Sequence, residues 1–264
     1  MESEDEALRL ELKTDPAVVA EEAQWAGVRP GMRIIDLGCG AGKTTQILHQ
    51  LVQPGGELVG VDCASVRIAY AREHHSANGI TYLMRDALKP HDDLGPFDLV
   101  WIRFLLEYYE QSSYAIVKNA FHLLKPGGTL CLIDLDLNCL GHSGASPRLE
   151  RTMRNLVFAV QRQYGFDPYV GRKLYGYLYD VGCVDVQVRM TPHHLIFGEM
   201  SDAERFNWLS KAESARTSPG LFADSYPGGF EEFRQELVAY LEHPRRFIYT
   251  PLFMCRGKAP ITAR

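Results

Sequence analysis

The chain has 264 residues, of which 46% are hydrophobic and 23% are charged, and its formal net charge at pH 7 is −5. A chain of this size and composition folds around a full hydrophobic core, either as one domain with insertions or as one domain and a cap. The negative net charge and the lack of a dense run of Lys and Arg argue against nucleic acid as a partner, because phosphate contacts need clustered cations.

The sequence also predicts a cytoplasmic protein that does not enter a membrane. Residues 1–6 are acidic rather than apolar, so no signal peptide is expected. No run approaches the roughly 20 apolar residues of a membrane-spanning helix. The six cysteines are scattered without a C-x-x-C pair, which is typical of reduced thiols. The adjacent pairs His74-His75 and His193-His194 lack partners at helical spacing, so no metal site is predicted.

In chain order, the first half of the sequence alternates between predicted strands and helices. Asp15-Pro16 is typical of a helix start, and we expect residues 1–30 to form an N-terminal helical cap. The elements predicted after this cap are strand 32–37, helix 43–52, strand 57–62, helix 65–77, strand 80–84, strand 97–101, helix 112–124 and strand 129–136. Continuous apolar strands separated by helices indicate a parallel sheet that is covered on both faces.

After residue 137 the regular alternation of predicted strands and helices ends. A loop of small residues over 138–146 precedes a helix to about residue 164 and a second helix that stops near residue 181. Alternating apolar residues predict a strand over 184–190. The remaining predicted elements are polar helices over 201–215 and 229–242 and a last strand over 247–255.

The segment that carries most information about function is Ile34 to Gly42, followed 20 positions later by Asp62. It is typical of a short buried strand that ends in a glycine-rich turn and continues into a helix. Glycines at alternate positions allow a tight turn and bring bare backbone close to a ligand. Asp62 ends a second apolar strand, where a carboxylate can accept both hydroxyls of a ribose. The pattern therefore predicts a nucleoside across the ends of the first two strands.

Two other glycine-rich nucleotide sites fit this segment less well. A phosphate-binding P-loop needs a glycine at position 37, where this chain has Leu37, and the loop from Gly38 to Gly42 is one residue too short. Asp36 would also place a negative charge beside a polyphosphate. A dinucleotide site needs the spacing G-x-G-x-x-G, whereas these glycines follow G-x-G-x-G.

Five segments resemble, in the same order, the motifs of the class I S-adenosylmethionine-dependent methyltransferases. They are the glycine turn at 34–42, the acidic strand end at 61–65, the adenine-recognition turn at 85–87, the fourth strand and its continuation at 97–107, and the turn before the fifth strand at 124–128. The resemblance covers residues 31–137, and the similarity to the family is weaker beyond them.

This resemblance implies S-adenosylmethionine as the cofactor and assigns residues to its parts. These are Asp36, Gly38, Cys39, Gly40 and Gly42 for the methionine and ribose side, Asp62 for the ribose, Cys63, Asp86 and Ala87 for the adenine, and Arg103 and Phe104 for the methionine end. Several alternatives stay open. The glycines alone would make a tight corner, and Asp62 would serve equally as a helix cap. Arg103 replaces a residue that is usually small in the family, so it either reaches the cofactor carboxylate or pairs with a surface acid.

The resemblance also implies the fold and the reaction. We expect an α/β fold with a doubly wound, mostly parallel sheet of seven strands, an antiparallel last strand and helical lid insertions. In this division, residues 31–137 are the cofactor-binding core, and residues 138–264 complete the sheet and carry the lid over 138–181 and 191–246.

We expect a methyltransferase with a small-molecule acceptor, and the oligomeric state stays open. A non-catalytic S-adenosylmethionine-binding regulator and a protein acceptor remain as alternatives. His142 is the candidate catalytic base, since it follows the fifth strand and loops at strand ends line such sites. A lone loop histidine that is only solvated is the alternative.

Overall fold

The computed structural model of the protein describes residues 14–213, 215–216, 220, 222 and 224–261. The predicted N-terminal cap before Thr14 and much of the loop over 214–223 lie outside the described residues. The chain divides into two compact units. The first comprises residues 1–134, 171–189 and 253–264, and the second comprises residues 135–170 and 190–252.

The first unit contains most of the predicted sheet. Its elements are α1 (Pro16–Ala26), β1 (Arg33–Leu37), α2 (Lys43–Val52), β2 (Glu57–Asp62), α3 (Ser65–His74), β3 (Ile80–Met84), β4 (Phe97–Arg103), a 3-10 helix (Leu106–Tyr108), α4 (Ser113–His122), β5 (Leu124–Leu135) and α6 (Leu174–Asp180). The last residue of β5 already belongs to the second unit. Helix α1 begins where predicted, because the Asp15 carboxylate accepts a hydrogen bond from the Ala17 amide at 2.9 Å and Pro16 occupies the first turn.

The second unit contains the helices that follow β5. Its elements are β6 (His142–Ser143), α5 (Pro147–Tyr164), α7 (Asp202–Glu213) and α8 (Gly229–Glu242), and the boundary between the units falls within β5, β7 (Val184–Phe197) and β8 (Phe247–Lys258). Its core is a cluster of buried residues from α5, α7, α8, β7 and β8, which includes Met153, Trp208, Phe233 and Ile248.

The strand order is β3-β2-β1-β4-β5-β8-β6, and β7 pairs with β8. The pairs from β3 to β5 are parallel, in registers such as Asp36 opposite Gly60 on one side and Trp101 on the other. The sheet is thus mostly parallel with one antiparallel strand, as predicted, and the α/β fold is confirmed. The strands of the first unit read as continuous apolar runs because they are buried on both faces, with Ile34, Leu99 and Leu132 fully buried.

Two features differ from the prediction. The described residues contain eight strands rather than seven, because His142 and Ser143 form a two-residue strand against β8 that is too short to give a pattern. Strand β7 runs to Phe197, whereas alternation of Val184, Val186 and Val188 predicted an end at residue 190. Helices α1 and α6 lie in the same compact unit as residues 31–134. The division into an N-terminal cap, a core and a lid remains a prediction.

Candidate functional site

The glycine-rich turn lies between β1 and α2, at the carboxyl end of β1. The amides of Gly38 and Cys39 donate to the carbonyl of Val61 at 2.8 and 3.0 Å, which ties the turn to the end of β2. Gly38 has φ +82°, and an added Cβ would lie 2.9 Å from Leu105 Cδ1. Only a glycine satisfies both conditions, because the left-handed backbone disfavours a side chain and the space is already filled. The turn therefore presents bare backbone at the edge of the sheet.

Gly42 closes the same turn under even tighter conditions. Its φ is +89°, and an added Cβ would lie 2.7 Å from Ala71 Cβ and 2.9 Å from the Tyr82 hydroxyl. The Cys39 side chain points into this packing and is buried with Ile68, Ala71 and Tyr82. Cys39 thus contributes its backbone to the turn, while its thiol belongs to the core.

Asp62 connects the glycine turn to the start of α3. Its Oδ2 accepts a hydrogen bond from the Gly40 amide at 3.0 Å, and its Oδ1 accepts one from the Ala64 amide at 2.9 Å. Arg67 also donates to Oδ1, through Nη2 at 2.7 Å and Nε at 3.1 Å. The carboxylate is therefore already a structural acceptor at the helix start. Oδ2 carries fewer donors than Oδ1 and faces the turn, so it is the oxygen on which a ribose hydroxyl would be accepted.

Asp36 is buried beneath the turn, with 2% of its surface exposed. The Thr45 hydroxyl donates to its Oδ2 at 2.6 Å. Burial raises the pKa of Asp36 to about 7, against the Thr45 hydrogen bond and the charge of Arg103, which both lower it. Asp36 is thus a carboxyl group that titrates near neutral pH at the methionine side of the predicted site.

Arg103 ends β4 and pairs with an acid from α1. Its Nε donates to Glu22 Oε2 at 2.7 Å, and its Nη2 lies 3.4 Å from Oε1. The side chains are buried, with 11% of Arg103 and 4% of Glu22 exposed. The guanidinium also lies 4.2 Å from the centre of the Phe104 ring, and Phe104 has φ +53°, a strained value for a residue with a side chain. The partner of Arg103 is therefore a buried acid and not the surface acid that was considered.

The predicted adenine residues lie at the ends of β2 and β3. Asp86 Oδ1 accepts a hydrogen bond from the Leu88 amide at 2.9 Å, Ala87 is buried, and Cys63 is exposed. Burial raises the pKa of Tyr109, and the charges of Cys63, Asp86 and Asp62 raise it further. Their contact with an adenine remains a prediction.

Four residues of this region escaped the sequence prediction: Glu22, Thr45, Arg67 and Tyr109. Glu22 did carry a signal, since it interrupts the buried stripe of α1 formed by Val19, Ala23 and Ala26. The others carry no local signal, because a threonine, an arginine or a tyrosine near a helix start is ordinary.

His142, the predicted catalytic base, lies in the second unit. Its Nε2 forms a hydrogen bond with the Cys139 carbonyl at 2.8 Å, and its ring lies 5.2 Å from Trp208 and 6.3 Å from Tyr240, centre to centre. Burial lowers the pKa of His142, against its hydrogen bond to the Cys139 carbonyl, which raises the pKa. Burial thus favours the neutral form of the imidazole, which packs against two aromatic rings. Its catalytic role remains a prediction.

No group of three or more His, Cys, Asp or Glu in residues 14–213 and the later described segments is arranged to hold a metal ion. None of the described helices combines the length and the hydropathy that crossing a membrane requires.

Comparison with known proteins identifies the region that carries the turn. A family model described as a methyltransferase domain matches residues 34–128. The chain is 33% identical, over 115 residues, to the ubiquinone/menaquinone biosynthesis C-methyltransferase of Vibrio parahaemolyticus, an alignment that covers 41% of this chain and 43% of that protein. It is 32% identical, over 112 residues, to the ubiquinone biosynthesis O-methyltransferase of Xanthomonas campestris, with 40% of this chain and 44% of that protein covered.

A solved structure extends the likeness at the level of the fold. The complex of phosphoethanolamine N-methyltransferase 2 from Haemonchus contortus with phosphomonomethylethanolamine and S-adenosylhomocysteine superimposes with a TM-score of 0.56 at 16% identity, over 93% of this chain and 52% of that chain. The chain spans less than half the length of the curated relatives it matches. The glycine turn, the acidic strand ends and these matches together make the region around residues 34–128 a class I S-adenosylmethionine-dependent methyltransferase domain.

Proposed function

We propose that the protein binds S-adenosylmethionine and transfers its methyl group to a small-molecule acceptor by in-line displacement. The observation that carries this proposal is the turn from Gly38 to Gly42, which presents bare backbone between two buried carboxylates, Asp36 and Asp62. This arrangement fits a nucleoside whose ribose reaches Asp62 and whose methionine lies along the turn. The solved relative with S-adenosylhomocysteine supports the same ligand class.

Methyl transfer from a sulfonium demands little chemistry from side chains. The nucleophile must be held in line with the methyl carbon, and such positioning supplies about 7–11 kcal/mol of the barrier reduction. The site must also exclude water, because a dry environment strengthens the interactions within it. In this chain the buried sheet edge and the turn would hold the cofactor, and one base such as His142 would accept the acceptor's proton where the reaction releases one.

The small-molecule acceptor is supported by the charge of the chain and by its relatives. The net charge of −5 disfavours nucleic acid. The two relatives above are named for quinone biosynthesis, one as a ubiquinone/menaquinone C-methyltransferase and one as a ubiquinone O-methyltransferase. Because they differ in the atom that is methylated, the proposal names the acceptor class only. We also propose a cytoplasmic location, which the six free cysteines support.

Calorimetry tests cofactor binding. We expect S-adenosylhomocysteine to bind the wild-type protein and Glu57→Ala with equal affinity, since Glu57 is an exposed acid that pairs with Arg33 and begins β2, at the end of that strand opposite Asp62. Asp62→Ala should bind it at least tenfold more weakly. Magnesium ATP that bound more tightly than S-adenosylhomocysteine would restore the P-loop interpretation.

A labelling experiment tests turnover and the alternatives. The protein is incubated with methyl-labelled S-adenosylmethionine and a cell extract that is then divided by ultrafiltration, with Asp62→Ala as a control of weakened cofactor affinity that should transfer less label. Label in the small-molecule fraction is the expected result. Label only in the macromolecular fraction would favour a protein acceptor. Saturable binding of S-adenosylhomocysteine without label in either fraction would favour a non-catalytic regulator.

The lid insertions over 138–181 and 191–246 remain a prediction that hydrogen exchange can test. Ligands must enter a site that is dry during the reaction, so a covering element has to open and close. We therefore expect backbone amides in these segments to exchange more slowly when S-adenosylhomocysteine is bound. Slower exchange confined to the turns at 36–42, 62–65 and 86–88 would refute the prediction of a lid.

A further inference from the structure

The ion pair between Glu22 and Arg103 is unusual for its burial. The chain has many ion pairs between exposed side chains, and one of them, between Glu21 and Arg189, is a close neighbour of the buried pair in the first unit. In that exposed pair the side chains have 63% and 35% of their surface accessible, against 4% for Glu22 and 11% for Arg103. Adjacent residues of α1 therefore form one exposed and one buried ion pair.

Stability does not explain the buried pair. Removing two charges from water costs more than a single close contact regains, and well-packed apolar side chains of similar size often serve a fold equally well. Burial accordingly raises the pKa of Glu22, and the Arg103 guanidinium opposes this shift. The rest of the α1 stripe is apolar, so a leucine or methionine at position 22 would suit the helix.

The position of the pair provides a different reason. Arg103 is the last residue of β4, and β4 pairs with β1, which leads directly into the glycine turn. The charge of Arg103 reaches Asp36, whose pKa it lowers. The strained backbone of Phe104 follows at once, stacked beneath the guanidinium. The pair therefore lies at the methionine side of the proposed cofactor site.

We propose that Glu22 and Arg103 together recognise the zwitterionic end of the cofactor, Arg103 binding its carboxylate and Glu22 binding its ammonium group. The methionine end of S-adenosylmethionine carries these two opposite charges on one carbon. Two fixed opposite charges, already desolvated and oriented by each other, complement it without leaving a buried charge unpaired. Helix α1 would thereby contribute a cofactor-binding side chain to the site. This inference rests on the proposed function.

A set of three ligands that differ only at this end tests the proposal by calorimetry. S-adenosylhomocysteine has both charges, S-adenosyl-3-thiopropylamine keeps the ammonium alone, and 5′-methylthioadenosine has neither. Glu22→Gln should weaken binding of the first two ligands about tenfold or more and leave the third unchanged. Arg103→Gln should weaken S-adenosylhomocysteine by a similar factor without weakening the other two. The controls Glu21→Gln and Arg189→Gln should change no affinity by more than about twofold, because that pair is exposed.

Other results would overturn the proposal in recognisable ways. Equal weakening of all three ligands would make the pair purely structural, and tighter binding of S-adenosylhomocysteine by Glu22→Gln would make Glu22 a competitor of the cofactor. If either single variant fails to fold, the uncharged double variant Glu22→Gln/Arg103→Met decides, since it leaves no buried charge unpaired. We expect it to lose the preference for S-adenosylhomocysteine over 5′-methylthioadenosine, and retention of that preference would refute the proposal. Wild-type protein that binds none of the three ligands would instead refute the proposed function.

Discussion

Two buried strand-end acids of the first unit differ from several buried polar groups of the second unit in what surrounds them. In the first unit, Asp36 and Asp62 stand at strand ends, where a hydroxyl and backbone amides of the turn and of the helix start donate to them. They shape the backbone that a ligand would contact. Such acids are visible in sequence because each lies at the end of an apolar run, and Asp36 also comes just before the glycine-rich segment.

In the second unit, polar groups lie inside a cluster built from distant segments. His142 Nδ1, Thr152 Oγ1 and Arg246 Nη1 are buried, and the described part of the chain offers them no hydrogen-bond partner. The Arg246 guanidinium is held by the carbonyls of Leu241 and Gly198. The comparison teaches that a polar group can be buried for two reasons. It either shapes a ligand-binding backbone at a strand end or is enclosed by the packing of distant segments. The following predictions separate them.

Gly42→Ala should have the largest effect. The new Cβ would occupy a left-handed backbone position, at a cost of about 1–2 kcal/mol, and would overlap Ala71 and Tyr82, at about 1–3 kcal/mol more. Urea unfolding should show this loss in the free energy of unfolding, and S-adenosylhomocysteine binding should fall below detection. Gly55→Ala is the matched control, since Gly55 has φ +83° with nothing within 4 Å. It should show only the smaller backbone cost, and equal losses in both variants would contradict the tight packing of Gly42.

His142→Gln tests which reason applies in the second unit. A catalytic base contributes about 10²–10⁴-fold to the rate, so kcat should fall by at least about 100-fold while cofactor affinity stays unchanged. The pH profile of the remaining activity should also lose the step that the titration of His142 contributes, a group whose pKa burial lowers. A lower melting temperature with an unchanged kcat would instead assign His142 to the aromatic packing around Trp208.

Asp62→Ala should reduce both cofactor affinity and stability. The loss of a charged acceptor for ribose should cost at least tenfold in affinity. Because the Gly40 and Ala64 amides and Arg67 lose their acceptor as well, the free energy of unfolding should fall by about 1–3 kcal/mol. A stability loss alone, with normal affinity for S-adenosylhomocysteine, would make Asp62 a helix cap only.

Asp36→Asn should change how the stability of the protein depends on pH. The pKa of Asp36 in the folded protein is about 7, above its ordinary value of 3.8, so the folded state binds the extra proton between these values. The contribution of this carboxyl to stability is therefore fully present below about pH 4 and is lost as the pH rises through 7. Wild-type stability should fall with a slope of up to about 1.4 kcal/mol per pH unit in this window, relative to Asp36→Asn. Parallel curves for the two proteins would refute the shift.

Most of the sheet in the first unit was predictable from sequence. The bounds of β2, β3, α2 and α5 match the predicted ones, because each is an apolar run or an amphipathic stretch delimited by glycine, proline or a polar cap. The predicted end of β7 was wrong by seven residues, since that strand is mostly exposed and lacks a clear burial pattern. Strand β6 depends wholly on pairing with β8, more than 100 residues away.

The sequence by itself determined the turn and its acids. Glycines with positive φ and strand-end carboxylates are local features, fixed by which backbone angles each residue permits. The tertiary structure alone decided how these acids are used. Glu22 meets Arg103 across 81 positions, and Arg67 occupies the oxygen of Asp62 that faces α3. Such contacts depend on how helices pack against the sheet, and burial then makes each charge require its partner, so no local pattern encodes them.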